Sequence, residues 1–151
     1  MYNNVNSYRH KHISISEILN RGLVDYLAIA ESKLSPDFPK PQFCVDNYEH
    51  YRQDFTSNSG GLLVHLREDI PQCRIPDAEV NANGFESICI EITIGNSKTA
   101  ITSIYKHPYV KDAYFKSCFS SIIDCLLKKY DDFIFLADVI IGLASAVSPC
   151  I

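Results

Sequence analysis

Three short apolar runs constrain this chain more than any other feature. Leu23-Val24-Asp25-Tyr26-Leu27-Ala28-Ile29-Ala30 is almost continuously apolar yet too brief for an independent helix, so it reads as a strand covered on both faces. Phe133-Ile134-Phe135-Leu136-Ala137 reads as a second buried strand, and Leu62-Leu63-Val64-His65-Leu66, opened by Gly60-Gly61, as a further strand candidate. A chain with such runs must cover them with other layers, which sets what the remaining residues have to do.

Those residues supply candidates. Phe85 to Ile92 and Thr99 to Tyr105 are β-rich and flank a Gly95-Asn96-Ser97 turn, which predicts a hairpin closed beyond its second arm by Pro108. Tyr114, Phe115, Cys118, Ile122, Cys125 and Leu126 recur at three- and four-residue spacing, which predicts an amphipathic helix between Lys111 and Lys129, with its last lysines suiting the helix dipole. A shorter helix is expected from a Ser14 or Ser16 cap to about Arg21, stopped by Gly22. The stretch from 32 to 58 has three prolines and many polar residues and reads as mostly loop, with a short extended piece near Phe43 to Val45. Residues 67 to 84, with two prolines, read as a connection that holds one edge strand. The order of hairpin and βα units gives one domain with an α+β or layered α/β arrangement and a mixed sheet.

Charge narrows the function. Fourteen basic against 18 acidic residues give a net charge of -4, so no broad positive field draws this chain onto a polyanion. A carboxylate-held cation still meets a phosphate, and two acids stand where one would be held: Glu31 and Asp138 each end a short apolar strand, fixed by the strand yet pointing out of the core. Mg²⁺ (or Mn²⁺) takes hard oxygen ligands, commonly one or two carboxylates with water and substrate phosphate filling the rest. The pair serves that purpose if the two strands are neighbours in one sheet. Six cysteines without a Cys-x-x-Cys pair read as free thiols, and the absence of an N-terminal apolar leader and of any 18-residue apolar run predicts an intracellular protein with no membrane helix. The histidines show no ligand spacing.

Six segments in order also carry a resemblance. Asn4-Val5-Asn6-Ser7 is similar to an opening Asn-Val-Arg-Ser motif, and Leu27 to Leu34 to a strand ending in Thr-Glu-Thr-Trp-Leu. Tyr51-Arg52-Gln53-Asp54 with Gly60-Gly61 is similar to a Tyr-Arg-x-Asp and Gly-Gly element. Phe85 to Ile92 matches Glu-Ser-Ile-Trp-Val-Glu-Ile with cysteine for tryptophan, Ser103 to Pro108 is similar to Ile-Tyr-Arg-Pro-Pro, and Phe135 to Asp138 to the first half of Leu-Gly-Asp-Phe-Asn. From Asn4 to Asp138 the chain therefore resembles the endonuclease/exonuclease/phosphatase (DNase I-like) family, nearest the endonuclease domain of non-LTR retrotransposons. The resemblance implies a two-sheet β-sandwich with flanking helices, a Mg²⁺-dependent nick in DNA, and a nuclear setting. Glu31 would be the main metal ligand, and Asn4 would help fix the metal's water or the substrate phosphate. Tyr105 would donate a hydrogen bond to the phosphate, Asp138 would orient or deprotonate the attacking water, and Arg52 would contact DNA phosphate.

The departures are as informative. Ile140 stands where the family's asparagine would hydrogen-bond the scissile phosphate, and loss of one such donor typically costs about 10² to 10³ in rate. His107 replaces a proline. No Ser-Asp-His segment follows, and residues 141–151 match nothing, so residues 1–140 are expected to be the front part of the domain, without its C-terminal strands, with an exposed sheet edge open to a partner or to self-association. An impaired endonuclease is the leading expectation. A noncatalytic remnant or interaction module with the same fold is the alternative, and a phospholipid or inositol phosphate phosphodiesterase a third.

Overall fold

Ten elements large enough to name account for the described chain. The computed structural model of the protein describes residues 1–139, so Ile140 and the predicted tail, with Cys150, lie outside the described residues. Strands β1 (Tyr2–Asn4), β2 (Tyr26–Ala30), β3 (Tyr48–Gln53) and β4 (Leu62–Arg67) form one sheet in the order β1-β2-β4-β3. Strands β5 (Gln72–Arg74), β6 (Phe85–Ile94), β7 (Ser97–Lys106) and β8 (Asp132–Asp138) form the other in chain order. The pairs β1–β2 and β7–β8 run parallel and the rest antiparallel. Helices α1 (His12–Asn20) and α2 (Asp112–Leu126) cover the two outer faces.

Side-chain alternation explains the layers. On β2, Leu27 and Ile29 pack under α1 with Ile15 and Leu19, while Tyr26, Ala28 and Ala30 face the second sheet. On β6, Ile88, Ile90 and Ile92 turn inward to meet them, and Phe85 and Cys89 turn outward beneath Phe115, Cys118 and Ile122 of α2. Every central strand thus buries both faces, and each large aliphatic side chain fully buried there contributes about 1.5 to 3 kcal/mol. Two hydroxyls tie the sheets across this apolar layer: Tyr2 donates to the Ile104 carbonyl at 2.9 Å, and Tyr26 lies 2.9 Å from Ser103 Oγ. The expected sandwich with helices outside is present.

The hairpin is longer than predicted and closes on a two-residue turn: Ile94 pairs with Ser97 across Gly95-Asn96, with Gly95 at φ 61°. Other differences have physical causes. Helix α1 starts at His12 rather than at a serine cap, because the 3₁₀ turn Tyr8–His10 feeds directly into it and Lys11 N donates to Tyr8 O. Strand β2 begins at Tyr26, leaving Leu23 exposed. Lys128 and Lys129 fall past the last helical residue of α2. Within the supposed loop lies β3, a sheet-edge strand whose polar residues Glu49, His50, Arg52 and Gln53 pair through the main chain with β4. Apolar patterning gives no sign of such a strand. The extended piece near Val45 reduces to one isolated bridge, Val45 to Tyr48. The described cysteines are free thiols, and no described helix is long and apolar enough to cross a membrane.

One core group is out of keeping with its surroundings. His65 in β4 is fully buried, neither ring nitrogen has a hydrogen-bond partner among the described residues, and burial pushes its pKa down to about 3. The unfolded chain, with an ordinary value near 6.5, binds this proton first, so stability is highest above pH 6.5 and falls as pH drops toward the folded value. Between pH 7 and 5 that loss comes to about 2 kcal/mol from this residue. Urea unfolding at the two pH values should show it, and His65→Leu should remove most of the difference; an identical pH dependence in the variant would refute the assignment.

Candidate functional site

One rim of the sandwich gathers the ends of four strands. Ala30 closes β2, and Glu31 follows it with φ 52°, a left-handed conformation unusual for glutamate that turns its side chain out of the sheet line. Asn4 ends β1 beside it, in register with Ala30. From the second sheet come Tyr105 of β7 and Asp138, the last residue of β8, which are paired in register.

The polar contacts are specific. Asn4 Nδ2 donates to Glu31 Oε1 at 2.9 Å and to Asp138 Oδ2 at 2.8 Å. Its other end is fixed, because Asn4 Oδ1 accepts the Asn6 backbone N–H at 3.1 Å. Carboxylates only accept hydrogen bonds, so the nitrogen must face them and the amide has one sensible orientation. Tyr105 donates its hydroxyl to Glu31 Oε1 at 2.9 Å while its ring is buried between the sheets. Asn4, Glu31, Tyr105 and Asp138 therefore meet in one cluster, as expected from the sequence.

One premise of that expectation is corrected. Glu31 and Asp138 do not sit on neighbouring strands of one sheet; β2 and β8 belong to opposite sheets. They meet because the sandwich brings the two sheet ends together and because Asn4 on β1 has a hydrogen for each. Arg52 lies apart from this cluster. Its guanidinium pairs with Asp54, donates to the Ser35 carbonyl at 2.9 Å, and rests over the Phe43 ring, so it fastens the 35–54 segment.

Electrostatics follow from these contacts. The Asn4 hydrogen bond, helped by Tyr105 and the Lys33 charge, holds the Glu31 carboxyl below its usual range, so it is ionised at neutral pH. Burial and the adjacent Glu31 push the Tyr105 hydroxyl well above its usual value, so it remains a donor. Lys33 is itself held, donating to Asn6 Oδ1 at 2.5 Å. Among the described residues no three of His, Cys, Asp or Glu gather as a ready metal cage. Two carboxylates within 2.9 Å of one amide nitrogen nevertheless form a hard-oxygen pair of the kind Mg²⁺ uses together with water and phosphate, so the donor set fits that ion.

A second polar group lies next to the first and was not legible as a site. Glu86 of β6, directly across from Tyr105, is buried with His107, and its Oε1 is 2.5 Å from His107 Nε2. Glu86 also accepts the Gly61 backbone N–H at 2.9 Å. Burial pushes Glu86 up to about 8 and His107 down, both shifts opposing charge on the pair. His107 packs edge-on to Tyr105 at 4.8 Å between ring centres. The one sequence hint is a glutamate on the otherwise apolar inward face of its strand.

Solved structures share this architecture. The fold is the DNase I-like one of endonucleases, exonucleases and phosphatases. The chain is similar to the catalytic domain of Xenopus laevis APE2, with a TM-score of 0.64 and 16% identity over 91% of this chain and 57% of that one. It is similar to the endonuclease domain of TRAS1, a telomere-specific non-LTR retrotransposon, at 0.60 and 12%, covering 91% and 56%. A 3' phosphatase from Neisseria, bound to a product DNA hairpin, matches at 0.57 and 14%, covering 91% and 55%. This DNase I-like chain thus spans just over half the length of those structures. No family model and no curated protein sequence matches it.

The hydrogen bonds on Glu31 set a pH test. Because they lower its pKa, the acid limb of the Glu31 carboxyl titration, followed by nuclear magnetic resonance, should lie below the ordinary carboxylate range. Asn4→Ala removes the largest cause and Tyr105→Phe a smaller one, so the acid limb should move to higher pH in both, further in the first. Limbs that coincide with wild type in both variants would contradict this account.

Proposed function

We propose that this chain carries the cation-binding part of a phosphodiester-cleaving site acting on the backbone of DNA. The observation that supports it is the junction of Glu31, Asp138 and Tyr105 around the Asn4 amide at one rim of a DNase I-like sandwich. In this reading Glu31 holds a Mg²⁺ or Mn²⁺ ion, which neutralises charge on the phosphate when bound. Asp138 accepts a hydrogen from the attacking water and keeps it in line with the leaving oxygen. Tyr105, protonated throughout the neutral range, would turn its single hydroxyl hydrogen from Glu31, once the cation occupies that carboxylate, to a non-bridging oxygen. Asn4, both of whose amide hydrogens are taken, holds the two carboxylates at a fixed separation.

Two supports point to DNA rather than a lipid headgroup. The motif spellings resemble retrotransposon endonucleases, and solved structures of the same fold include one such endonuclease and a phosphatase holding a DNA hairpin. With a net charge of -4, attraction to the polyanion runs through the cation rather than through a basic face. Turnover is slow in this reading, because Ile140 has no donor where the resemblance sets an asparagine, a loss of about 10² to 10³.

Relaxation of supercoiled plasmid by the purified chain in Mg²⁺ tests this. Slow nicking is expected, abolished by chelation and by Glu31→Ala, and reduced by about 10² or more in Asp138→Asn. Nicking at the wild-type rate in Glu31→Ala would rule the reading out. Cation binding at Glu31 with no nicking would instead favour a noncatalytic module of the same fold, the alternative for which Ile140 speaks.

A further inference from the structure

The segment that aims Glu31 is bound on two sides. On one side Ser7 N donates to Glu31 O at 2.8 Å and Tyr8 N to Ser32 O at 2.9 Å. On the other, Ser32 N donates to Gly61 O at 3.0 Å and Lys33 N to Gly60 O at 2.9 Å. Residues 31 and 33 both have positive φ, 52° and 51°, a conformation that ordinary side chains hold only when the surroundings impose it. The Gly60-Gly61 strap is a large part of what imposes it.

The strap is in turn fixed from the opposite sheet. Glu86 accepts the Gly61 N–H with both oxygens, at 2.9 and 3.2 Å, and His107 backs the same carboxyl at 2.5 Å. Gly60 presses against this pair so closely that an added Cβ would lie 2.4 Å from Glu86 Oε1 and 2.5 Å from His107 Nε2. With φ 68° at Gly60 and 89° at Gly61, the strap tolerates neither a side chain nor a different path. A buried acid that accepts a backbone N–H from a loop is costly to place in an apolar layer unless it holds something. What it holds here ends, two hydrogen bonds later, at the main chain of Ser32, the residue that follows Glu31.

We infer that Glu86, backed by His107, is a positioning residue that locks the Gly60-Gly61 strap against residues 31–33 and so aims the Glu31 carboxylate at its cation. It touches neither cation nor substrate. This rests on the metal reading of Glu31, and its effect must pass through that side chain. Groups that support a metal ligand from behind typically change affinity by about 10- to 100-fold when removed.

Mn²⁺ affinity, measured by electron paramagnetic resonance on the full chain, tests this through a double-mutant cycle. Glu86→Leu should weaken binding about tenfold in the wild-type background and add nothing in Glu31→Ala. Glu86→Gln, which keeps an oxygen for Gly61 N–H, should stay within about threefold of wild type. Gly60→Ala, which displaces both Glu86 and His107, should reproduce the Glu86→Leu loss and carries the test if the leucine variant does not fold. Wild-type affinity in folded Glu86→Leu or Gly60→Ala, or a full Glu86→Leu deficit persisting in Glu31→Ala, would overturn the positioning role while leaving the metal reading intact. Equal binding by wild type and Glu31→Ala would overturn both.

Discussion

Central strands of this sandwich must bury both faces, and that requirement decides where chemistry can occur. Between the sheets and beneath the helices most side chains are apolar, and polar groups that enter those layers are hydrogen-bonded within or across the sheets or, like His65, have no hydrogen-bond partner among the described residues. Apart from Glu86 and Glu91 on β6, charged groups of the central strands stand at or beside strand ends, where the backbone is still rigid but the side chain reaches water. Glu31 and Asp138 occupy such ends on opposite sheets, and the distance between them is set by how closely the sheets pack. Asn4 converts that packing into a fixed separation of two carboxylates.

Rigidity at the rim comes from backbone as much as from side chains. Positive φ values cluster at Asn6, Ser7, Glu31, Lys33, Gly60 and Gly61, all on the loops that converge on Glu31. All but Asn6, whose N–H goes to the Asn4 side chain, are held by main-chain hydrogen bonds to another of the three loops, so the strain of one is offset by the others. Beneath them the Glu86–His107 pair supplies an anchor that belongs to the second sheet. The arrangement couples two sheets at the point where a cation would need both.

Much of this was legible in the sequence because burial leaves a pattern. The apolar runs of β2, β4 and β8 and the alternation of β6 and β7 locate the sheets, and the strand-end positions of Glu31 and Asp138 follow from them. Motif resemblance added Asn4 and Tyr105, which no periodicity singles out. The edge strand β3 was illegible because its pairing uses the main chain while its residues are polar on the exposed side. Which sheet each acid joins was equally hidden, since strand order in space is not written in local pattern. Arg52, legible as an exposed cation, turns inward because Asp54 two residues later forms a bidentate partner and nearby carbonyls complete its donors.

The contact between Asn4 and Asp138 joins residues 134 positions apart. Closing so long a loop costs entropy that no local structure offsets, so this junction belongs among the last to form as the chain folds. Partly folded forms with one sheet assembled then hold at most one of the two acids in place, and an ion that needs both stabilises only the finished sandwich. On the proposed reading of the rim, cation capture would therefore report complete folding, read at the seam between the two halves.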